Sequence, residues 1–137
     1  AVGTGLLQHP GFKVAGREQY LLVPVPLHKR KQRRRGYNQA EAIAAGVGQA
    51  AGIRCVEPGT VLRIRYTTSQ TGLNGSKRLE NIRDAFKVQE SREGLLEGRR
   101  VIVIDDVITT GATAHESARV LKEAGVKKVY VVTLAMD

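Results

Sequence analysis

The sequence predicts an open α/β sheet, mostly parallel, with helices on both faces. Three observations carry that prediction. Val101–Ile104 is an unbroken β-branched run, the mark of a strand buried on both faces of a parallel sheet. Strand-like and helix-like stretches alternate, with connections long enough to cross over a sheet. At 137 residues, 42% hydrophobic and 26% charged, the chain suits one domain, 1–137, with a core of its own.

Residues 1–20 are weakly patterned and glycine-bearing, and read as a lead segment. Leu21-Leu22-Val23-Pro24-Val25-Pro26 reads as a short buried strand that ends in proline, followed by a stiff loop. Lys29 to Arg35 holds six cations in seven positions and is too charged for burial. Asn38 looks like an N-cap with Glu41 as its capping-box partner. Ala40, Ile43, Ala44, Val47 and Ala51 then share one helical face, and Gly52 can close the helix. Gly46 and Gly48 each cost that helix up to about 1 kcal/mol relative to alanine, which close packing would explain. The Gly46–Gly52 run has the wrong last spacing for a dinucleotide fingerprint and falls late in the helix, so that reading is discarded.

Val61–Arg65 alternates as a strand, 66–81 is a polar, glycine-punctuated loop, and Ala85–Gln89 is a further strand. Glu90–Gly98 reads as a connection into the central strand. Beyond that strand, Ala114, Ala118 and Leu121 share a helical face, Gly125 is the expected stop, and Val129–Leu134 is expected as a final buried strand.

Charge and cysteine usage narrow the function classes. A net charge of +9 favours polyanions: nucleic acid, phosphorylated small molecules or acidic lipid. The single cysteine, Cys55, excludes an intrachain disulfide and a multi-cysteine zinc site, and packs best as a small hydrophobe. No apolar run approaches a membrane span and no signal peptide is visible, so a cytoplasmic protein is expected. The chain starts at Ala1 without a methionine, which leaves room for a segment upstream. His9, His28 and His115 have no metal spacing and no partnered acid, and no Ser/His/Asp set or Walker-type loop is present.

The chemistry concentrates after Ile104. Asp105 and Asp106 follow where that strand should leave the core, then come Thr109, Thr110, Gly111, Ala112 and Thr113, and then a helix. A helix start offers unpaired N–H groups and the positive end of its dipole to an anion. Gly111 lets backbone come close, and threonine hydroxyls add donors. Two carboxylates at a strand's carboxyl end can accept hydrogen bonds from a diol or sit near a metal. Such a layout can hold a phosphorylated sugar, although any βα junction can carry Asp, Thr and Gly as turn residues.

The ordered combination resembles the phosphoribosyl pyrophosphate (PRPP) motif of type I phosphoribosyltransferases. More of the chain is similar to one family within that class, the ComF (competence protein F) family of bacterial DNA uptake. The similar pieces are Val23–His28, Arg35-Gly36-Tyr37-Asn38-Gln39-Ala40, Gln70-Thr71-Gly72-Leu73, Asn81–Phe86 and Val101–Thr113, within residues 21–137. The resemblance implies a type I phosphoribosyltransferase-like fold. It gives Asp105 and Asp106 the ribose hydroxyls, 109–113 the 5′-phosphate, the loop after Pro26 the pyrophosphate, and 66–81 the role of a lid. It also implies Mg²⁺ bound through PRPP and water, with no direct protein ligand. Family members commonly carry an amino-terminal zinc ribbon, and this sequence has no residues for one.

Several roles stay open at this level. Lys29, Arg30, Lys31, Arg33, Arg34 and Arg35 either hold the pyrophosphate or a second polyanion, or form a solvated loop. Asn38 and Gln39 either touch the ligand or start the helix. Gln70, Thr71, Gly72 and Leu73 either belong to the lid or make a glycine turn. Three functions remain: a ComF-like protein that binds PRPP and single-stranded DNA, an active transferase to an unidentified base or amine, and a nucleotide-sensing regulator. The sequence leaves the oligomeric state open, a homo-oligomer included.

Overall fold

The computed structural model describes residues 19–27, 33–34, 36–64, 83–108 and 111–136. Its centre is strand β5, Arg100–Ile108, where Val101, Ile102, Val103 and Ile104 are fully buried. Strand β1, Tyr20–Pro24, runs parallel to β5 with Leu22 opposite Ile102. The two-residue strand β2, Arg54–Cys55, lies beyond β1, and β6, Lys128–Met136, lies beyond β5. The parallel sheet therefore has the order β2-β1-β5-β6. The expected lead segment is described only at Gln19 and Tyr20, and Tyr20 already belongs to β1.

Two crossovers leave the central β1–β5 pair in opposite directions. Helix α1, Gln39–Ala51, links β1 to β2, and helix α3, Ala112–Glu123, links β5 to β6. Parallel crossovers are right-handed, so opposite directions of travel put the two helices on opposite faces. Packing agrees: Leu22, Ile102 and Ile104 meet Ala44, Val47 and Ala51 of α1. Leu21, Val23, Val101 and Val103 meet Ala112, Val120 and Leu121 of α3.

Helix α1 starts and stops for local reasons. Asn38 has extended backbone and its side chain accepts from the N–H of Ala40, while Gly52 takes the left-handed conformation at the far end (φ 70°). A Cβ at Gly48 would lie 2.8 Å from the Ile53 carbonyl oxygen and 3.3 Å from Leu22 Cδ1, so glycine lets the helix close on β1 there. Gly46 has open space around it, and the packing expectation fails at that position.

Three further expectations are corrected. The strands expected at 61–65 and 85–89 are β3, Val61–Arg63, and β4, Phe86–Val88, and they pair antiparallel in a separate two-stranded ribbon. Val61, Phe86 and Val88 pack on the α3 face, so the ribbon is a cover over that core rather than part of the parallel sheet. Among the described residues the final strand is an edge strand, with Val131 39% exposed, because β5 is its one neighbour there in the sheet order. Finally, Asp105 and Asp106 lie inside β5, which stays paired to β6 as far as Ile108. They emerge from the sheet only on the β1 side, where pairing stops at Pro24–Ile104 and the Val25 N–H closes on the Ile104 carbonyl at 2.8 Å.

The expected connection 90–98 contains a 3₁₀ turn, Glu90–Arg92, and a short helix α2, Glu93–Leu96, whose Leu96 is fully buried. Among the described residues no helix is long and apolar enough to cross a membrane.

Candidate functional site

The crossovers reverse direction between β1 and β5, and the carboxyl ends of the strands at such a switch point are where open α/β sheets bind ligands. Asp105 and Asp106 stand at that end of β5. Strand alternation puts Asp105 on the face of Val101 and Val103, and Asp106 on the face of Ile102 and Ile104. Asp105 is 9% exposed and Asp106 is half-buried. The Asp105 carboxylate accepts from the Asp106 N–H at 2.9 Å, and the Thr133 hydroxyl donates to the Asp106 carbonyl at 3.2 Å. Both acids are thus held on a strand rather than on a loop.

Arg63 on β3 belongs to this neighbourhood, and the sequence reading missed it. Its guanidinium carbon lies 5.3 Å from the centre of the Phe86 ring. Burial lowers its pKa from the ordinary arginine value, and the charge of Asp105 works against that shift. The only sequence signal was a cation at the end of a short alternating strand, and many exposed residues share that signal.

Helix α3 supplies the anion-facing end. Gly111 sits at its N-cap with φ 82°, a conformation that favours glycine, and its carbonyl accepts the first helical bond from the His115 N–H at 2.8 Å. A Cβ there would meet nothing within 4 Å, so the approach side is open. The first turn holds no acidic residue of its own to offset the positive end of the dipole. Ala112 is buried and Thr113 half-buried, while Thr109 and Thr110 lie outside the described residues.

The remaining candidates separate. Asn38 is buried, its Nδ2 donates to the Val25 carbonyl at 3.1 Å and its Oδ1 accepts from Ala40, so it pins the chain after β1 to the start of α1. Gln39 is exposed, with Nε2 3.5 Å from the Tyr37 hydroxyl. Arg33 and Arg34 are exposed. Lys29, Arg30, Lys31 and Arg35 lie outside the described residues, as do Gln70, Thr71, Gly72 and Leu73.

A second missed group ties the ribbon to α3. Asp84, at φ 56°, donates its N–H to buried Glu116 at 3.2 Å, and its carboxylate accepts from Arg119 Nη2 at 3.1 Å. Arg119 donates from Nε to Glu116 at 2.9 Å, from Nη2 to the same oxygen, and from Nη1 to Glu123 at 2.7 Å. The Arg119 bond holds the Glu116 carboxyl below its usual range although burial opposes this. The residue that leads into β4 is therefore fixed to the helix that starts at Gly111. A glutamate in an otherwise ordinary helix gives no sign of this in sequence.

Comparison with known proteins identifies the fold and the family. A family model described as a phosphoribosyl transferase domain matches residues 33–137. The glutamine PRPP amidotransferase of B. subtilis, solved with ADP and GMP, superposes with a TM-score of 0.59 at 22% identity, covering 96% of this chain and 25% of that one. The family match spans most of the chain, which therefore belongs to the phosphoribosyltransferase-domain family. Within it the chain is a homologue of competence protein F of Haemophilus influenzae, at 37% identity over 83% of this chain and 49% of that protein. It is also 33% identical to the DNA utilization protein YhgH of Salmonella typhi over 80% of this chain and 46% of that protein. The chain spans about half the length of these curated relatives.

Proposed function

We propose that the carboxyl end of the sheet binds PRPP. The observation that carries this reading is the sequence of features at that end: two carboxylates on β5, then a helix that starts at an open, left-handed glycine with no acid in its first turn. Asp105 and Asp106 accept hydrogen bonds from the ribose 2′- and 3′-hydroxyls. The first turn of α3, with Thr109, Thr110 and Thr113, holds the 5′-phosphate. Lys29–Arg35 draws in the pyrophosphate, and the Gln70–Leu73 stretch belongs to a lid.

Magnesium fits this donor set in one way. Among the described residues no three His, Cys, Asp or Glu side chains gather as a metal cage. Magnesium gives up its waters reluctantly and is held through one or two carboxylates and substrate phosphates, so the ion would arrive with the diphosphate. When bound it neutralises diphosphate charge.

The experiment is calorimetric titration of PRPP with Mg²⁺ into wild type and the Asp105→Asn/Asp106→Asn variant. Each lost bond to a desolvated charged acceptor costs about 1.5–3 kcal/mol, roughly tenfold or more in affinity. Equal affinity in a folded double variant would refute the assignment.

A second reading, transfer of the phosphoribosyl group to a base or amine, is favoured by a cavity of about 290 Å³ at the carboxyl ends of β1 and β2, bordered by Pro26, Glu41 and Glu57. Pyrophosphate release with a panel of acceptors tests it. For a macromolecular partner we infer single-stranded DNA, on the net charge of +9 and the competence and DNA-utilization names of the homologues. The absence of any apolar run of spanning length in the sequence accords with a cytoplasmic setting.

A further inference from the structure

The amino ends of the strands carry chemistry that the phosphoribosyl site does not use. A groove of about 850 Å³ opens there, with Gln19, Arg54, Arg99 and Lys127 along it and Glu97 as its one carboxylate among the described residues. Each of these four residues starts or immediately precedes a strand of the parallel sheet: Arg54 opens β2, Gln19 precedes β1, Arg99 precedes β5 and Lys127 precedes β6. The register sets Gln19, Arg99 and Lys127 level with one another and Arg54 two residues further along, opposite Leu21. In this staggered row the four span about 14 Å across the sheet at the usual spacing between strands.

Arg100 and Lys128, paired across β5 and β6, bring two more cations to this end of the sheet, on the opposite face by strand alternation. Their guanidinium and ammonium groups lie 6.0 Å and 5.2 Å from the Tyr20 and Tyr130 rings. Burial opposes ionisation of Tyr130, yet its contacts with Lys128, Tyr20 and Arg100 bring its phenol below the ordinary value.

The backbone under the row is tied together. The Lys127 N–H donates to the Arg99 carbonyl at 2.8 Å, and the Gly98 N–H donates to the Gly125 carbonyl at 2.9 Å. Ordering on binding would thus be confined to side chains, which lowers the entropic cost. From Arg100 to Asp105 the strand spans about 17 Å, roughly twice the Debye length at physiological salt, so these cations do little for an anion at the carboxyl end.

We propose that a single-stranded nucleic acid docks by its phosphates along the row Arg54–Arg99–Lys127 at the amino end of the sheet, away from the PRPP site. The row is longer than one phosphate needs and nearly free of carboxylate. Four other acids are engaged away from it: Glu57 by Arg92, and Asp84, buried Glu116 and Glu123 by Arg119. Binding of this kind reads charge rather than base sequence. The proposal rests on the strand-binding reading above and is independent of the PRPP reading.

The test is fluorescence anisotropy of a labelled 20-nucleotide oligothymidylate across a salt series, with wild type, Arg54→Gln/Arg99→Gln/Lys127→Gln, and the fully surface-exposed pair Arg54→Glu/Lys127→Glu. Loss of three phosphate contacts should flatten the slope of log affinity against log salt by about 2 and weaken binding about a hundredfold at 0.1 M salt. Both variants should melt as wild type does, and millimolar PRPP or pyrophosphate should leave the bound strand in place. Wild-type affinity and slope in both variants would overturn the proposal and leave strand binding to be sought elsewhere. Displacement by pyrophosphate would move the strand to the carboxyl end. Failure of wild type to bind the oligonucleotide would remove the groove and the strand-binding reading together, with PRPP binding unaffected.

Discussion

At the carboxyl end of the sheet stand two carboxylates and a helix whose first turn holds no acid, whereas the amino end presents Arg54, Arg99, Arg100, Lys127 and Lys128 with Glu97. Strand direction accounts for much of this contrast. In a parallel sheet every crossover helix begins over the carboxyl ends and finishes over the amino ends. Helix dipoles therefore favour anions at one end and cations at the other. Helix α1 finishes just before Arg54, and α3 finishes with Lys122 in its last turn, shortly before Lys127. The comparison teaches that cations at the amino end have a structural explanation already, worth about 0.3–1 kcal/mol each, and that a binding role must be distinguished from it by measurement.

The largest expected effect is at the carboxyl end. Gly111→Val forces a β-branched residue into a left-handed conformation, a strain of about 1–3 kcal/mol, and puts a side chain where an anion would approach. PRPP and ribose 5-phosphate should both lose affinity by a hundredfold or more in calorimetry, with oligonucleotide binding unchanged. Loss confined to PRPP would put Gly111 at the pyrophosphate instead.

Asn38→Ala should come next. The cap is worth about 1 kcal/mol, and the Val25 carbonyl loses a donor, adding about 1 kcal/mol or more. Urea denaturation should record the sum as a lower midpoint at unchanged slope. An unchanged midpoint would mean that Asn38 does not pin the carboxyl end.

Glu116→Gln should cost less, about 1 kcal/mol, because Arg119 is partly exposed and solvent screens the pair. The folded pKa of Glu116 is lowered, so its contribution is complete above the unfolded value of about 4.3 and is lost as pH falls through the folded value. The advantage of wild type over Glu116→Gln in denaturant midpoints should therefore be constant near neutrality and shrink below about pH 4. A constant advantage down to pH 3 would break the link to this carboxylate.

The smallest effect sharpens the comparison most. Arg54→Gln/Lys127→Gln should change stability by no more than about 0.5 kcal/mol, as surface substitutions generally do. A loss above about 1 kcal/mol by thermal or urea denaturation would assign these cations to the helix ends rather than to a ligand.

Much of the fold was legible because it depends on local pattern. The Val101–Ile104 run, the Asn38 cap, the face Ala40–Ala44–Val47–Ala51 and the Gly52 stop are written in adjacent residues, and each appears where periodicity and capping chemistry put it. The separate ribbon was not legible: Val61–Arg63 and Phe86–Val88 look like any short strands, and their partners are separated by more than twenty residues of sequence. The edge position of β6 and the two-residue β2 depend likewise on sheet order, which no local window contains.

The same division holds for function. The sequence by itself determined the order strand, two acids, small-residue loop, helix, since those groups are contiguous and their chemistry follows from their types. Only the tertiary structure decided that Asp105 and Asp106 stay inside a paired strand, that Arg63 comes into the field of Asp105, and that Glu116 fastens Asp84 to the helix behind Gly111. It alone aligned Gln19, Arg54, Arg99 and Lys127 on one edge. The physical reason is that electrostatics and hydrogen bonding act through space, and a parallel sheet brings together strand starts that are tens of residues apart along the chain.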